Sequence, residues 1–205
     1  MKLYCESNSK VHQTVFVPSH VSVIDIVASE GACFSVILVL KNPTSLLQVS
    51  LFPAHKSSLN VIILTQLFGE KQCAITTHQM HDASESTSSC TLRGVLHESS
   101  QLQYKGMITI TKNARLTEAN QQSRFLLVGD KARAHAAPQL EIITHEVQCM
   151  HGSAISTLSD DHLVLCASRG VPLHCAQKMI IEGFFQEVLS ARTIDEQNEI
   201  IGFLR

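Results

Sequence analysis

Cys149 and His151, in the segment Val147-Gln-Cys-Met-His-Gly152, are the residues whose types and spacing most directly suggest chemistry. In an extended segment, positions i and i+2 share a face, so a thiolate and an imidazole would project to the same side. Both are good ligands for iron or zinc. Two ligands do not close a metal site, so a centre here needs further donors from another chain or from a cluster. Read from the residues alone, a buried thiol beside a hydrogen-bonded histidine carries more weight than a ligand pair, because such pairs arise by chance.

His135 and His145 come second, with Glu141 and Glu146 nearby. Such a set could bind metal or trade protons. Ordinary hydrogen-bonded surface residues outweigh that reading for each of them taken singly. Gly129-Asp-Lys131 reads as a charged turn. No Gly-x-x-x-x-Gly-Lys-Ser/Thr phosphate loop occurs in the chain, so nucleotide hydrolysis by this chain is not expected. Gly-x-Ser-x-Gly and His-Glu-x-x-His are also missing. His145-Glu-Val-Gln-Cys149 carries a cysteine where the second histidine would stand. Arg169, in Ser168-Arg-Gly170, sits at an expected strand-to-helix turn, where it is free to meet a carboxylate, a helix end or a partner.

The elements that must position these residues are β-rich runs separated by turns. They read as Thr14–Val17, Val21–Val27, Cys33–Leu40, Leu46–Phe52, Leu59–Phe68, Cys73–Thr77, Cys90–Leu96, Lys105–Thr111, Arg124–Val128, Leu140–Val147 and His162–Cys166. A spacing of roughly a dozen residues suits a sandwich or a solenoid. Tight hairpin signals such as Asn-Gly and Asp-Gly are missing, which favours a stack of rungs. The Ser-rich stretch His81–Ser89 reads as a wide turn between rungs. Pro172 suits the first position of a helix. Leu173, Ala176, Ile180, Phe184 and Val188, with Ile181, Phe185 and Leu189 beside them, then form a broad apolar face. Thr193-Ile-Asp-Glu196 reads as a capping box opening a second helix over 194–204. Two such helices could cap the open end of a solenoid or dock a partner.

Composition narrows the class. The chain has 205 residues, 44% hydrophobic and 17% charged, enough apolar matter for one substantial core. A net charge of −2 and the lack of any Lys/Arg run point away from nucleic acid. The apolar runs at 35–40 and 61–64 are far short of the roughly 20 residues needed to span a bilayer. No signal-peptide pattern opens the sequence, so the expectation is a cytoplasmic protein without a membrane segment. Seven cysteines without any Cys-x-x-Cys pair argue against a disulfide framework or a standard zinc site.

Several short segments follow one another along the second half of the chain: Tyr-Lys-Gly-Met-Ile-Thr-Ile (104–110), Leu-Leu-Val-Gly-Asp-Lys (126–131), Pro-Gln-Leu-Glu-Ile (138–142), Val-Gln-Cys-Met-His-Gly (147–152), Ser-Arg-Gly (168–170) and Gly-Phe-Phe-Gln-Glu-Val (183–188). Together they resemble the core of the SufB/SufD family, scaffold subunits of the Suf iron–sulfur cluster assembly machinery. The resemblance covers roughly the last half of the chain. It implies an all-β core, a right-handed parallel β-helix over 1–167, followed by a small C-terminal helical segment over 168–205. It implies a non-enzymatic scaffold with no permanently bound cofactor, which handles a transient iron–sulfur cluster or iron. The implied partners are a SufB-like subunit, a Suf-type ABC ATPase and, through exposed strand edges, a second copy.

The resemblance also reverses the weighting of Cys149 and His151. In SufD-type members this segment lies at the interface with SufB, and its histidine is implicated in cluster formation. SufB-type members carry a cysteine at the position of Ser123 and a glutamate at that of Gly152, so the chain is SufD-like. Arg169, Ile180, Phe184, Phe185 and Val188 become the expected partner-binding residues. Family members carry a sizeable N-terminal region before the β-helix. Here strand pattern begins almost at Met1, so a natural short form or a fragment is expected. Two other readings stay open: a degenerate structural paralogue, and a carbohydrate-active solenoid. The latter is poorly served by a chain with no Trp and two Tyr.

Overall fold

The computed structural model describes residues 1–43 and 46–204. These residues form twelve strands and three helices. The first six strands are β1 (Lys2–Cys5), β2 (Lys10–Phe16), β3 (Val23–Ala28), β4 (Cys33–Lys41), β5 (Leu46–Pro53) and β6 (Ser58–Leu67). The next six are β7 (Gln72–His81), β8 (Thr87–Leu96), β9 (Gln101–Ile110), β10 (Thr117–Leu127), β11 (Arg133–Ile142) and β12 (Val147–Thr157). Helices α1 (Asp160–Ser168), α2 (Leu173–Leu189) and α3 (Ile194–Leu204) follow.

Odd-numbered strands build one six-stranded sheet and even-numbered strands the other, and every pairing is parallel. The chain therefore alternates between two facing sheets, and each strand hydrogen-bonds to the strands two before and two after it. This is a parallel β-solenoid, as expected. The rungs lengthen along the axis. Lys2 pairs with Asp25, 23 residues on, whereas Gln101 pairs with Arg133, 32 residues on.

One corner explains the lack of hairpin signals. Asn8, Gly31, Lys56, Glu85 and Leu116 all have φ between 53° and 67°. Each donates its backbone N–H to a carbonyl one rung further on: Glu30, His55, Ser84, Arg115 and Glu146. A left-handed residue costs a non-glycine side chain free energy, and the hydrogen-bond ladder between rungs offsets it. Such a turn joins strands of different sheets, so the two-residue hairpin chemistry has no role. At the other corner, Gly129 is packed so tightly on the Glu98 backbone that any Cβ would overlap it. Gly129-Asp-Lys131 is the inter-rung turn the sequence suggested.

The interior changes character along the axis. Early rungs are filled by Ile24, Ile26, Val36, Leu38, Val49, Leu51, Val61 and Ile63, all fully buried. Later rungs bury Thr77, Gln79, His81, Ser88, Tyr104, Gln121 and Ser123. A second apolar cluster lies outside the solenoid. There Ile37, Val39, Leu64, Val95 and Leu126 of the even-numbered sheet meet Phe185 and Leu189 of α2 and Ile200 and Leu204 of α3. Helices α2 and α3 thus cover the outer face of one sheet rather than the open end. The Thr193 capping box forms as expected: Thr193 Oγ1 accepts the Glu196 N–H and Glu196 Oε2 accepts the Thr193 N–H, both at 3.3 Å.

Three expectations need correction. His162–Cys166 is not a strand but part of α1; Ser159 is its N-cap, and Asp160 and Asp161 place negative charge at its positive end. The helical segment accordingly begins at residue 160, before the expected boundary at 168, and Ser168-Arg169-Gly170 joins two helices. The wide turn expected over His81–Ser89 is confined to residues 82–86. His81 ends β7, while Thr87, Ser88 and Ser89 belong to β8 because their backbones pair with β6 and β10. The run Leu140–Val147 is interrupted by a turn at 143–146 that separates β11 from β12.

Candidate functional site

The solenoid's last rung is built from β11 and β12, each hydrogen-bonded to a strand on one side only. Leu140 and Ile142 share the inward register of the buried Ile108 and Ile110, and Ile155 that of the buried Phe125. They are nonetheless 38%, 40% and 46% exposed. Core-type side chains on an unpaired strand edge are features that solvated sheet ends usually avoid.

Cys149 and His151 lie on this strand, on one face, as their spacing predicted. Cys149 pairs with Ala119 and packs with Val147 against Ile108, Ile110 and Ala114. Burial pushes its thiol pKa up, partly offset by a backbone hydrogen bond involving Ala119. A metal ion here would have to displace the thiol proton. His151 pairs in register with Gln121 and is exposed. Ser153 follows opposite Ser123, whose hydroxyl is buried without a partner.

Behind this rung runs a polar chain that the sequence did not announce. Thr77 Oγ1 meets the Tyr104 hydroxyl at 2.8 Å, and Gln121 Nε2 donates to that hydroxyl at 2.5 Å. Further along the interior, His81 contacts the Ser86 and Ser88 hydroxyls, each at 2.7 Å, and the Ser88 hydroxyl donates to Gln79 Oε1 at 2.6 Å. The available signal was that polar residues occupy both faces of β10, with Thr117, Gln121 and Ser123 on one and Glu118, Asn120, Gln122 and Arg124 on the other. A polar face on a strand is normally read as the solvated one.

The second-ranked residues do not join the pair. His135 and Glu141 stand at outward register positions of β11, opposite in parity to Leu140 and Ile142. His145 lies in the turn before β12, and Glu146 is held by Arg115 through Nε at 2.9 Å and Nη2 at 2.7 Å. Among the described residues no group of three or more His, Cys, Asp or Glu side chains could hold a metal ion. Cys149 and His151 are therefore a half-site at most. A groove of about 330 Å³ runs along β10 and β12, lined by His151 and Ser153 together with Asn120, Arg124, Met150 and Gly152, so His151 opens onto it.

The residues expected to bind a partner through α2 divide. Phe185 is 1% exposed and packed on this chain's own sheet, so it belongs to the core. Ile180, Phe184 and Val188 are half-buried at the margin of the same cluster. Arg169 is exposed at the end of α1. The outward surface of α2 carries Leu173 and Met179, 57% and 59% exposed. Beneath it Arg93, 2% exposed, lies 5.6 Å from the Phe184 ring centroid. Its guanidinium shares the Glu187 carboxylate with Arg124, at 3.3 Å and 2.9 Å respectively. No helix among the described residues is long and apolar enough to cross a membrane.

Fold and rung together define a class: a two-sheet parallel β-solenoid with an unpaired, sulfur- and imidazole-bearing end and a helical cover on one flank. A family profile described as SUF system FeS cluster assembly, SufBD core domain, matches residues 47–184, and the chain belongs to this family. The chain is similar to protein ABCI7, chloroplastic, of Arabidopsis thaliana, 36% identical over 115 residues, covering 54% of this chain and 24% of that protein. It is similar to an iron–sulfur cluster assembly SufBD family protein of Synechocystis, 29% identical over 128 residues, covering 62% and 27%. It is also similar to the iron–sulfur cluster assembly protein SufD of Escherichia coli, 27% identical over 137 residues, covering 67% and 32%. The matches thus span about a quarter to a third of these relatives' length.

Proposed function

We propose that the chain is a non-catalytic, SufD-like scaffold in a Suf-type iron–sulfur cluster assembly complex. Its open end pairs with the corresponding end of a SufB-like subunit, or with a second copy. Cys149 and His151 then supply part of the ligand set for transient iron or a nascent cluster, and the partner supplies the rest. The observation that carries this reading is the same-face placement of Cys149 and His151 on β12, beside the exposed Leu140, Ile142 and Ile155. A thiol and an imidazole at an unpaired sheet end become a closed site only when another strand arrives. Joined ends would also bury the exposed apolar residues, which favours association.

The helical flank suits a different partner. A Suf-type ATPase would meet the outward surface of α1 and α2, with Arg169 and Met179 at its centre and Ile180, Phe184 and Val188 at its margin.

The test is anaerobic co-expression with the SufB-like subunit and the ATPase of the same organism. The wild-type chain should recover both. Leu140→Glu with Ile142→Glu should lose the SufB-like subunit and keep the ATPase, while Arg169→Glu with Met179→Glu should do the reverse. Cys149→Ala and His151→Ala should keep both partners and lose iron. A folded wild-type chain that recovers neither partner would leave the chain a structural paralogue.

A further inference from the structure

The hydrogen-bonded chain inside the late rungs stops one bond short of the open end. Gln121 is 1% exposed; its Nε2 donates to the Tyr104 hydroxyl, and its Oε1 is buried without a partner. A buried acceptor left unpaired carries a desolvation penalty that native structures rarely tolerate without reason. The amide is also held in place. Tyr104 is anchored by Thr77, and Gly106 leaves the space the amide occupies, since a Cβ there would overlap it. On the next strand, at the register position of Gln121 and on the same face, stands His151.

Metal-binding histidines almost always donate their second ring N–H to an acceptor, which fixes tautomer and ring orientation. We propose that Gln121 is the positioning residue for His151: its Oε1 accepts the N–H of the ring nitrogen that does not face the metal. The other nitrogen is then deprotonated and presented on the side of Cys149. A neutral amide, unlike a carboxylate, performs this without adding charge to the site. Tyr104, Thr77 and Gly106 hold the amide in place, which gives these three interior positions a role. The inference rests on the reading of His151 as a ligand.

Zinc ion is the probe, added to the full chain labelled with ¹⁵N-histidine. In the wild type the His151 ring should show one zinc-bound nitrogen and one protonated nitrogen protected from exchange. Gln121→Met removes the acceptor at similar volume. It should abolish that protection and weaken zinc binding by about ten- to a hundredfold, without lowering the thermal midpoint. Gln121→Glu restores an acceptor and should restore the protected N–H. Tyr104→Phe, which frees the amide, should weaken zinc binding in the same direction by less, and serves as the test if Gln121→Met does not fold. Unchanged affinity and an unchanged protected N–H in Gln121→Met would overturn the positioning role and leave His151 a ligand. Zinc that leaves the wild-type His151 resonances unmoved both in the chain alone and in its complex with the SufB-like subunit would overturn both.

Discussion

The side-chain amide of Gln121 lies where a Cβ on Gly106 would be, so one strand carries no side chain at the point where the facing sheet sends an amide across. Gly106→Ala must displace that amide and break its bond to Tyr104. The expected cost is about 1–3 kcal/mol in denaturant unfolding. Gly106→Ala with Gln121→Ala should recover much of it; two losses that simply add would mean the two residues do not compete for space.

Burial of His81 sets a pH dependence. The imidazole is fully enclosed, and desolvation lowers its pKa from 6.5 to about 4. Between those values the unfolded chain takes up a proton that the folded chain refuses. Stability is therefore complete at neutral pH and is lost as pH falls from about 6.5 towards 4, by at most about 3 kcal/mol. Urea unfolding of the wild type and His81→Gln across this range tests it. The variant should show a shallower decline, and equal slopes would assign the effect to other groups.

The helical cover should be energetically lopsided. Phe185→Ala removes a ring from the cluster on the even-numbered sheet and should cost about 3–5 kcal/mol. Met179→Ala, on the outward surface, should stay within about 0.5 kcal/mol. Deleting 172–205 strips the cover from Ile37, Val39, Leu64, Val95 and Leu126, so the truncated chain should bind an apolar dye and self-associate. A monomeric, dye-silent truncation would mean the cluster contributes little.

Two guanidiniums share one carboxylate under α2, and Arg93 Nε and Nη1 are buried without partners. Glu187→Gln should cost about 2–3 kcal/mol, below the value for a fully buried pair because Glu187 is half exposed. Arg93→Met should be neutral or stabilising, since it removes the uncompensated charge. Thermal unfolding of both variants decides, and a large loss in Arg93→Met would show that its ion pair outweighs its desolvation.

Much of the architecture was legible locally. Cys33–Leu40 reads as the strand found at Cys33–Lys41, and the capping box at Thr193 forms with both its hydrogen bonds. Cys149 and His151 share a face because a strand alternates with period two, which needs no tertiary information. The apolar run Leu163-Val-Leu-Cys166 misled because short apolar runs fit strand and helix alike. Only the end of β12 at Thr157 and the acidic first turn of α1 settle it.

What the sequence determined by itself was most of the strand runs, the two last helices, the family and the spacing of a thiol and an imidazole. The tertiary structure decided which surface each element meets. The apolar stripe containing Phe185 was equally suited to a partner or to this chain's own sheet. It was assigned by contact with Ile37 and Leu64, more than a hundred residues away. The polar residues of β10 were assigned to the interior by register with β8 and β12. Alternation along a strand says that two faces differ. Only the rungs on either side say which face is inside.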